Sequence, residues 1–267
     1  MKYYKNAITL IKNSRGCYII DTVKGCSAGS LYGGKGCYGD CYAKNIADRY
    51  GFDFTSPRSR KFDVDTGQMM FFGLTDQTHA SEIVRQIKAA DMPFVRIGEM
   101  GDPSLDWVNT VAVCHAISAA GKPIVIITKH WHPVPDELLG ELAAIPGLCI
   151  NTSASALDTD EQIQYRLEQF DRLKPFCKSV LRIVSCDFNR DHPDGLRRAL
   201  IQDQLFKCGN VLDTVFRPSA DNWFVVNGII NATRVKFLRK ESLASVYNPK
   251  TYFGMCGTCP DMCGISA

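Results

Sequence analysis

Residues 94–130 read FVRIGEMGDPSLDWVNTVAVCHAISAAGKPIVIITKH. Short apolar runs at 94–98 and 124–128 flank a longer stretch, 105–120, which has the length and apolar spacing of a helix. The two short runs are rich in Val and Ile, which is typical of strands buried in a sheet. This stretch therefore predicts a strand, a helix and a second strand that lies parallel to the first.

The same alternation continues in both directions along the chain. Further strands are predicted at 17–23, 68–72, 148–152, 180–185 and 212–216, and further helices at 41–50, 80–90, 136–144, 159–173 and 194–206. We expect an α/β fold, namely a partial or closed (β/α) barrel of parallel strands, with a doubly wound open sheet as the alternative. Residues 1–221 are expected to form the barrel, and 222–267 a cysteine-rich C-terminal extension.

Composition narrows the class of protein. The net charge is only +3, and no run approaches the roughly 18 apolar residues of a membrane span. The first residues also lack the apolar core of a signal peptide, so we expect a cytoplasmic protein that does not associate with membranes. In that compartment twelve cysteines indicate metal binding or thiol chemistry more than disulfides.

Three of the cysteines lie in a glycine-rich loop. Residues 25–43 read GCSAGSLYGGKGCYGDCYA and contain Cys26, Cys37 and Cys41 between a predicted strand and a predicted helix. Glycine lets the backbone bend closely around a compact group and turn amide N–H groups toward it. Three thiolates are one ligand short of a closed tetrahedral zinc site, and the loop has no histidine, although a distant thiol would complete one.

This loop resembles that of the radical S-adenosylmethionine superfamily, in which three cysteines after the first barrel strand bind a 4Fe-4S cluster. The spacing here is ten residues and then three, in place of C-x3-C-x2-C, and the ending Cys41-Tyr42-Ala43-Lys44 is similar to that of spore photoproduct lyase and of phage-associated relatives with stretched cysteine loops. The resemblance implies a cluster at Cys26, Cys37 and Cys41, S-adenosylmethionine as a second cofactor, and an electron donor such as flavodoxin or ferredoxin.

Polar residues at predicted strand ends extend the resemblance. Gly98-Glu99 looks like the motif that receives the amino group of S-adenosylmethionine, and Asp102 follows it, although Asp102 is equally suited to cap the next helix. Thr128 and Lys129 resemble the strand end of the phage-associated group.

Other strand ends supply further candidates. Lys129 and His130 are the candidate catalytic residues, whereas His132 is expected in a solvated loop. Ser153 and Arg182 are candidate ligands for ribose and carboxylate groups, and Arg217 has similar standing. The alternatives are a cap for Ser153 and an ion pair in the core for Arg182.

A second cysteine motif lies near the C-terminus. Cys256, Cys259 and Cys263 form C-x2-C-x3-C, a spacing that lets the three thiols converge on one centre. We expect an auxiliary iron–sulfur cluster, with zinc as the alternative. Cys208 or Cys186 is the preferred fourth ligand, and substrate and water are the other candidates. The six single cysteines are expected to be small buried residues: Cys17, Cys114, Cys149, Cys177, Cys186 and Cys208.

The sequence leaves the substrate open. Small basic groups occur at 58–61, 197–198 and 234–240, and the last alternates with apolar residues as a half-buried strand does. A peptide or small metabolite is the first expectation, and nucleic acid is a further candidate because of the resemblance to a DNA-repair lyase. The competing function is a non-radical zinc- or iron–sulfur-binding protein in which both metal sites are structural.

Overall fold

The computed structural model describes residues 6–62 and 76–266. The strand predicted at 68–72 lies outside these residues. Strands in the described ranges are β1 (Leu10–Lys12), β2 (Tyr18–Ile20), β3 (Val23–Lys24), β4 (Arg58–Ser59), β5 (Val95–Ile97), β6 (Ile124–Thr128), β7 (Leu148–Ala154), β8 (Lys178–Ser185), β9 (Val211–Val215), β10 (Thr233–Phe237) and β11 (Lys240–Ala244). Helices are α1 (Leu31–Gly34), α2 (Tyr42–Arg49), α3 (Asp76–Ala89), α4 (Trp107–Ser118), α5 (Leu139–Ala143), α6 (Asp160–Leu173), α7 (Pro193–Leu205) and α8 (Trp223–Val226).

A mostly parallel sheet of seven strands forms the centre of the molecule. Its order is β1-β2-β5-β6-β7-β8-β9, and every pair except the antiparallel β1–β2 is parallel. The parallel strands follow one another in chain order, whereas a doubly wound sheet reverses its order at a switch point. The α/β class is therefore confirmed, and the topology does not fit the doubly wound alternative. Strand β1 was not predicted from the sequence.

The two faces of the sheet are covered by different parts of the chain. Alternate residues such as Ile126 and Ile150 belong to a core that includes Ile87 of α3 and Val111 of α4. The opposite face carries Val125 and Cys149, which pack with other apolar side chains around Cys256. Because successive side chains of a strand point to opposite faces, helices cover one face and the segment after β11 covers the start of the other.

Most predicted element boundaries are correct within a few residues, because local caps define them. Thr159 accepts from the backbone N–H of Gln162 while the Gln162 side chain accepts from the N–H of Thr159, and this capping box starts α6 one residue after the predicted start. The predicted strand 17–23 is divided at Asp21 and Thr22. Asp21 turns its carboxylate to the backbone N–H groups of Glu99 and Met100, at 2.6 and 2.9 Å, and the chain leaves the sheet there.

The C-terminal extension is folded where it is described. After α8 it forms the antiparallel hairpin β10–β11, which confirms a strand in 234–240 but ends it at a turn around Leu238, where φ is +54°. It then passes the start of β2, where the N–H of Cys256 donates to the carbonyl of Arg15 at 2.8 Å. Among the described residues, no helix is long and apolar enough to cross a membrane.

Candidate functional site

Backbone hydrogen bonds hold the glycine-rich loop at Cys26 and at Cys41. The N–H of Cys26 donates to the carbonyl of Phe54 at 2.7 Å, and the N–H of Cys41 donates to that of Lys35 at 3.0 Å. Gly36 has a φ of +76°, and a Cβ atom there would lie 2.4 Å from Cβ of Cys41. Only glycine fits at this position, because any other side chain would collide with Cys41. Gly36 therefore allows the loop backbone to pass directly beside the Cys41 side chain.

The loop cysteines open into a cavity of about 280 Å³ at the carboxyl ends of the parallel strands, which we call the edge cavity. It brings together ten of the residues predicted from the sequence: Cys26, Cys37, Cys41, Gly98, Glu99, Asp102, Thr128, Lys129, Ser153 and Arg217. Strand ends and the loop after β3 contribute these residues from widely separated parts of the chain. Arg182, His130 and the three tail cysteines do not line this cavity.

Burial has the largest effect on the pKa values of two loop thiols. It raises the pKa of Cys26 to about 12 and that of Cys37 to about 11, and nearby Lys129 acts in the opposite direction on Cys37. Within residues 6–62 and 76–266, no three His, Cys, Asp or Glu side chains are arranged as a ready-made metal site. Burial therefore favours the neutral thiol at Cys26 and Cys37, and the three loop cysteines line one cavity.

The Gly98-Glu99 turn is held by a buried carboxylate that sequence reasoning missed. Asp21, which is 2% exposed, accepts both backbone N–H groups described above. The Glu99 side chain accepts from Arg96 at 2.7 Å and from Asn13 at 3.2 Å. Burial raises the pKa of Glu99, and the Arg96 charge counteracts this effect. Glu99 thus lines the cavity with a carboxylate that already accepts hydrogen bonds from Arg96 and Asn13.

Asp102 and Thr128 have structural partners. The Asp102 carboxylate accepts from the N–H of Ser104 at 3.0 Å, from the Thr128 hydroxyl at 2.5 Å and from the N–H of Lys129 at 2.8 Å. It caps the turn before α4 and joins that turn to the end of β6. The helix-capping alternative for Asp102 is therefore what the structure displays.

Lys129 belongs to a buried polar network next to Cys37. Its ammonium contacts the Tyr38 hydroxyl and lies 3.6 Å from Asp158, which also pairs with Arg166. Tyr38 donates to Asp158 at 2.8 Å. Burial alone would raise the pKa of Asp158, but the charges of Lys129 and Arg166 lower it overall. Three members of this network were missed, since nothing in their local sequence indicates that they meet.

His130 lies on the helix side of the sheet. It is 1% exposed, its Nε2 is 3.0 Å from the Thr152 hydroxyl, and its ring is 5.6 Å from that of Trp107. Burial lowers its pKa to about 4. A catalytic role for His130 stays a prediction that this position does not favour. His132 is exposed, as expected.

A second cavity, of about 310 Å³, lies between the sheet and the C-terminal extension, and we call it the tail cavity. Cys256, Cys259 and Cys263 line it, and so does Arg182. Arg182 donates to Asn151 at 3.0 Å and to Thr214 at 2.8 Å, both neutral groups, so the expected alternative of an ion pair in the core is not observed. Arg217, Thr214 and Val215 line both cavities.

One tail thiol lies beside a cysteine that was expected only as a core residue. Cys17 is fully buried at the start of β2 and packs in the same apolar cluster as Cys256. The neighbouring Cys17 thiol, followed by the charges of Arg15, Arg96 and Arg182, lowers the pKa of Cys256. The expected partners are elsewhere, because Cys186 packs with Leu157 and Phe188 while Cys208 lies in another cluster.

Four of the six single cysteines are buried as expected, whereas Cys177 and Cys208 are half-buried. The basic group at 197–198 is paired on the surface, since Arg197 and Arg198 both contact Asp194.

Comparison of the chain with models of protein families, with curated proteins and with solved structures finds no match.

Proposed function

We propose that the protein is a radical S-adenosylmethionine enzyme whose cluster is held by Cys26, Cys37 and Cys41. The observation that carries this proposal is the edge cavity, where the three thiols face Glu99 and Ser153 at the carboxyl ends of parallel strands. Active sites of (β/α) barrels lie at this edge. We further propose that the consecutive parallel strands form a partial barrel around the two cavities.

The donor set suits a cluster with one open iron. Three thiols line the cavity without a histidine among its lining residues, whereas a closed structural zinc site uses four protein ligands. Cluster binding would deprotonate Cys26 and Cys37 against the burial that raises their pKa values. Such a cluster, once reduced, supplies the electron that cleaves S-adenosylmethionine to methionine and a 5'-deoxyadenosyl radical, which abstracts hydrogen from the substrate.

The protein's own side chains would bind and orient the reactants. Glu99 offers a carboxylate to the ammonium of S-adenosylmethionine, and Ser153 offers a hydroxyl across the cavity. Gly98 has a φ of +90°, and a Cβ atom there would lie 2.8 Å from the Pro103 ring. Only glycine therefore adopts this turn without a steric clash. Lys129 places a positive charge beside Cys37, and Asp102 and Thr128 hold its backbone.

Aromatic side chains would exclude water from this cavity. Tyr38, Tyr42 and Trp131 are part of its wall, and the Tyr42 hydroxyl donates to the carbonyl of Glu99 at 2.7 Å. Such a wall prevents a reactive carbon radical from meeting solvent.

We also propose an auxiliary iron–sulfur cluster at Cys256, Cys259 and Cys263, with Cys17 in place of Cys186 or Cys208 as the fourth thiol. Cys17 already packs in the same apolar cluster as Cys256. The protein would work in the cytoplasm with flavodoxin or ferredoxin as electron donor.

Metal analysis tests the proposal. Protein purified without oxygen should contain iron and sulfide in equal amounts, and it should form 5'-deoxyadenosine from S-adenosylmethionine when reduced. A Cys208→Ala variant, altered at a half-buried thiol outside both cavities, should behave as the wild type does. Colourless protein with zinc at both sites and no iron would instead establish the structural metal-binding function.

A further inference from the structure

The tail cavity has an unusual balance of charge. Its basic lining residues are Arg15, Arg96, Arg182, Arg217 and Lys250, and its acidic ones are Asp213 and Asp261. The edge cavity has the reverse balance, with two basic and three acidic lining residues. A cavity with five basic and two acidic groups attracts anions.

Three of the guanidinium groups have no acidic partner among the described residues. Arg96 pairs with Glu99, but Arg15 donates to the carbonyl of Gly254 at 3.1 Å and Arg182 to the neutral groups already described. Arg217 lies over the ring of Phe237, 4.6 Å from its centre, and Arg15 lies 5.5 Å from the same centre. Two like charges thus share one aromatic ring.

Guanidinium groups that line a cavity without a carboxylate partner remain available to bind an anion. The guanidinium group is the side chain best shaped for oxyanions, because its planar fork donates two parallel hydrogen bonds to one phosphate or carboxylate. Three unpaired guanidinium groups exceed what a single carboxylate neutralises, whereas a phosphate monoester carries almost two charges and three acceptor oxygens.

The remaining wall suits an organic body attached to the phosphate. Phe94, Phe237 and Phe253 line the cavity, and Thr251 and Asn248 add neutral polar groups. The volume of about 310 Å³ is within the range of small-molecule sites. Thr214, Val215 and Arg217 also line the edge cavity, so a ligand anchored by its phosphate extends toward the loop cysteines.

We propose that the tail cavity binds the phosphate group of a small phosphomonoester between Arg15 and Arg182. Its assignment as the substrate rests on the proposed function, because only then does its organic part lie next to the reaction. The proposed phosphate site itself depends only on the tail cavity and on its unpaired guanidinium groups. This narrows the expectation of a peptide or small metabolite to a phosphorylated small molecule.

Phenyl phosphate is a suitable probe, since it joins a phosphomonoester to an aromatic body. Isothermal titration of the full-length protein, purified without oxygen, should give saturable binding that weakens as the chloride concentration rises. Arg15→Gln and Arg182→Gln should each raise Kd about tenfold to a hundredfold, the range for a lost hydrogen bond between charged groups. The control is Arg197→Gln, a surface arginine of α7 that pairs with Asp194 and should leave Kd unchanged.

Arg15 is half-exposed, so its variant tests the site even if replacing Arg182 disturbs folding. Benzoate, a monoanion with the same ring, should bind at least tenfold more weakly than phenyl phosphate. Equal affinity for the two, or no saturable binding of phenyl phosphate, would overturn the inference. If S-adenosylmethionine still binds in that case, the proposed function survives. If phenyl phosphate binds but the protein has no iron at the loop cysteines, the phosphate site is supported and the proposed radical function is wrong.

Discussion

The edge cavity and the tail cavity are both lined by three cysteines, yet they differ in charge. In the edge cavity the acidic lining residues outnumber the basic ones, and Lys129 is held by Asp158. In the tail cavity the basic residues predominate, and three guanidinium groups have only neutral partners in the described part of the chain.

This difference shows that a cysteine motif alone does not define the chemistry of a site. Both motifs predict a metal from spacing, but the neighbouring charges decide what else can bind. Carboxylates such as Glu99 suit the ammonium group of S-adenosylmethionine, whereas the arginines of the tail cavity suit an oxyanion.

The largest expected effect separates the two cysteine sets. Cys26→Ala, Cys37→Ala or Cys41→Ala should each abolish 5'-deoxyadenosine formation, because three thiolates are the minimum that holds the cluster. Iron at the proposed auxiliary site of Cys256, Cys259 and Cys263 should remain, and iron analysis with electron paramagnetic resonance measures both sites. Product formation by the Cys26→Ala variant would remove Cys26 from the ligand set.

The next effect concerns stability. Asp158→Asn should lower the free energy of unfolding by about 3–5 kcal/mol, because it leaves the buried charge of Arg166 and that of Lys129 unpaired. Arg182→Gln should change it by less than about 1 kcal/mol, since no ionised partner is left behind. Urea unfolding of both variants measures the contrast. Equal losses of stability in the two variants would contradict this contrast between the paired cations near the edge cavity and the unpaired Arg182.

A smaller effect tests the ammonium site. Glu99→Gln should weaken S-adenosylmethionine binding by about 1–3 kcal/mol without loss of iron, the amount expected for a hydrogen bond to a charged group. Binding of phenyl phosphate should not weaken, because Arg96 is released from its pair. Glu82→Gln, at an exposed ion pair of α3, is the matched control. An unchanged dissociation constant would leave Glu99 with only its role in the turn.

The smallest effect concerns His130, which lines neither cavity. Its pKa in the folded protein is about 4, below the value of about 6.5 in an unfolded chain, so the unfolded state binds the proton more readily. The stabilising contribution is therefore complete above about pH 6.5 and is lost as the pH falls toward 4. Between pH 7 and pH 5 the loss should be about 1–2 kcal/mol.

Between pH 7 and pH 5, the free energy of urea unfolding should change by about 1–2 kcal/mol less in His130→Asn than in the wild type. The exposed His132→Asn variant should match the wild type. A His130→Asn variant that also loses S-adenosylmethionine cleavage at pH 7 would restore His130 as a catalytic candidate.

Local patterns predicted the fold well, because strands and helices depend on apolar spacing and caps. The run 124–128 is a strand with the predicted bounds, and helix α6 starts one residue after its predicted start, at the Thr159 cap. The edge cavity was also largely predictable, since parallel strands bring their carboxyl ends together whatever the loop lengths.

Contacts between distant segments were not predictable. Asp158 meets Lys129, and Cys17 meets Cys256, through tertiary packing that no local spacing encodes. The position of His130 outside the edge cavity was not predictable for a related reason. A strand alternates its faces, so Lys129 enters the edge cavity while the next residue turns to the helices, and a positive φ of +51° at His130 follows the end of the strand.

The contact between Arg15 and Gly254 spans 239 residues of sequence. During synthesis on the ribosome this contact forms only after the chain has emerged beyond residue 254, long after β2 and the cysteine loop are exposed. Contacts of such sequence separation form late also in refolding, because their loop-closure entropy is large. The face of the sheet that the C-terminal extension covers is thus open until the last residues are made, and under the proposed function the tail cysteines would receive iron only at the last stage of maturation.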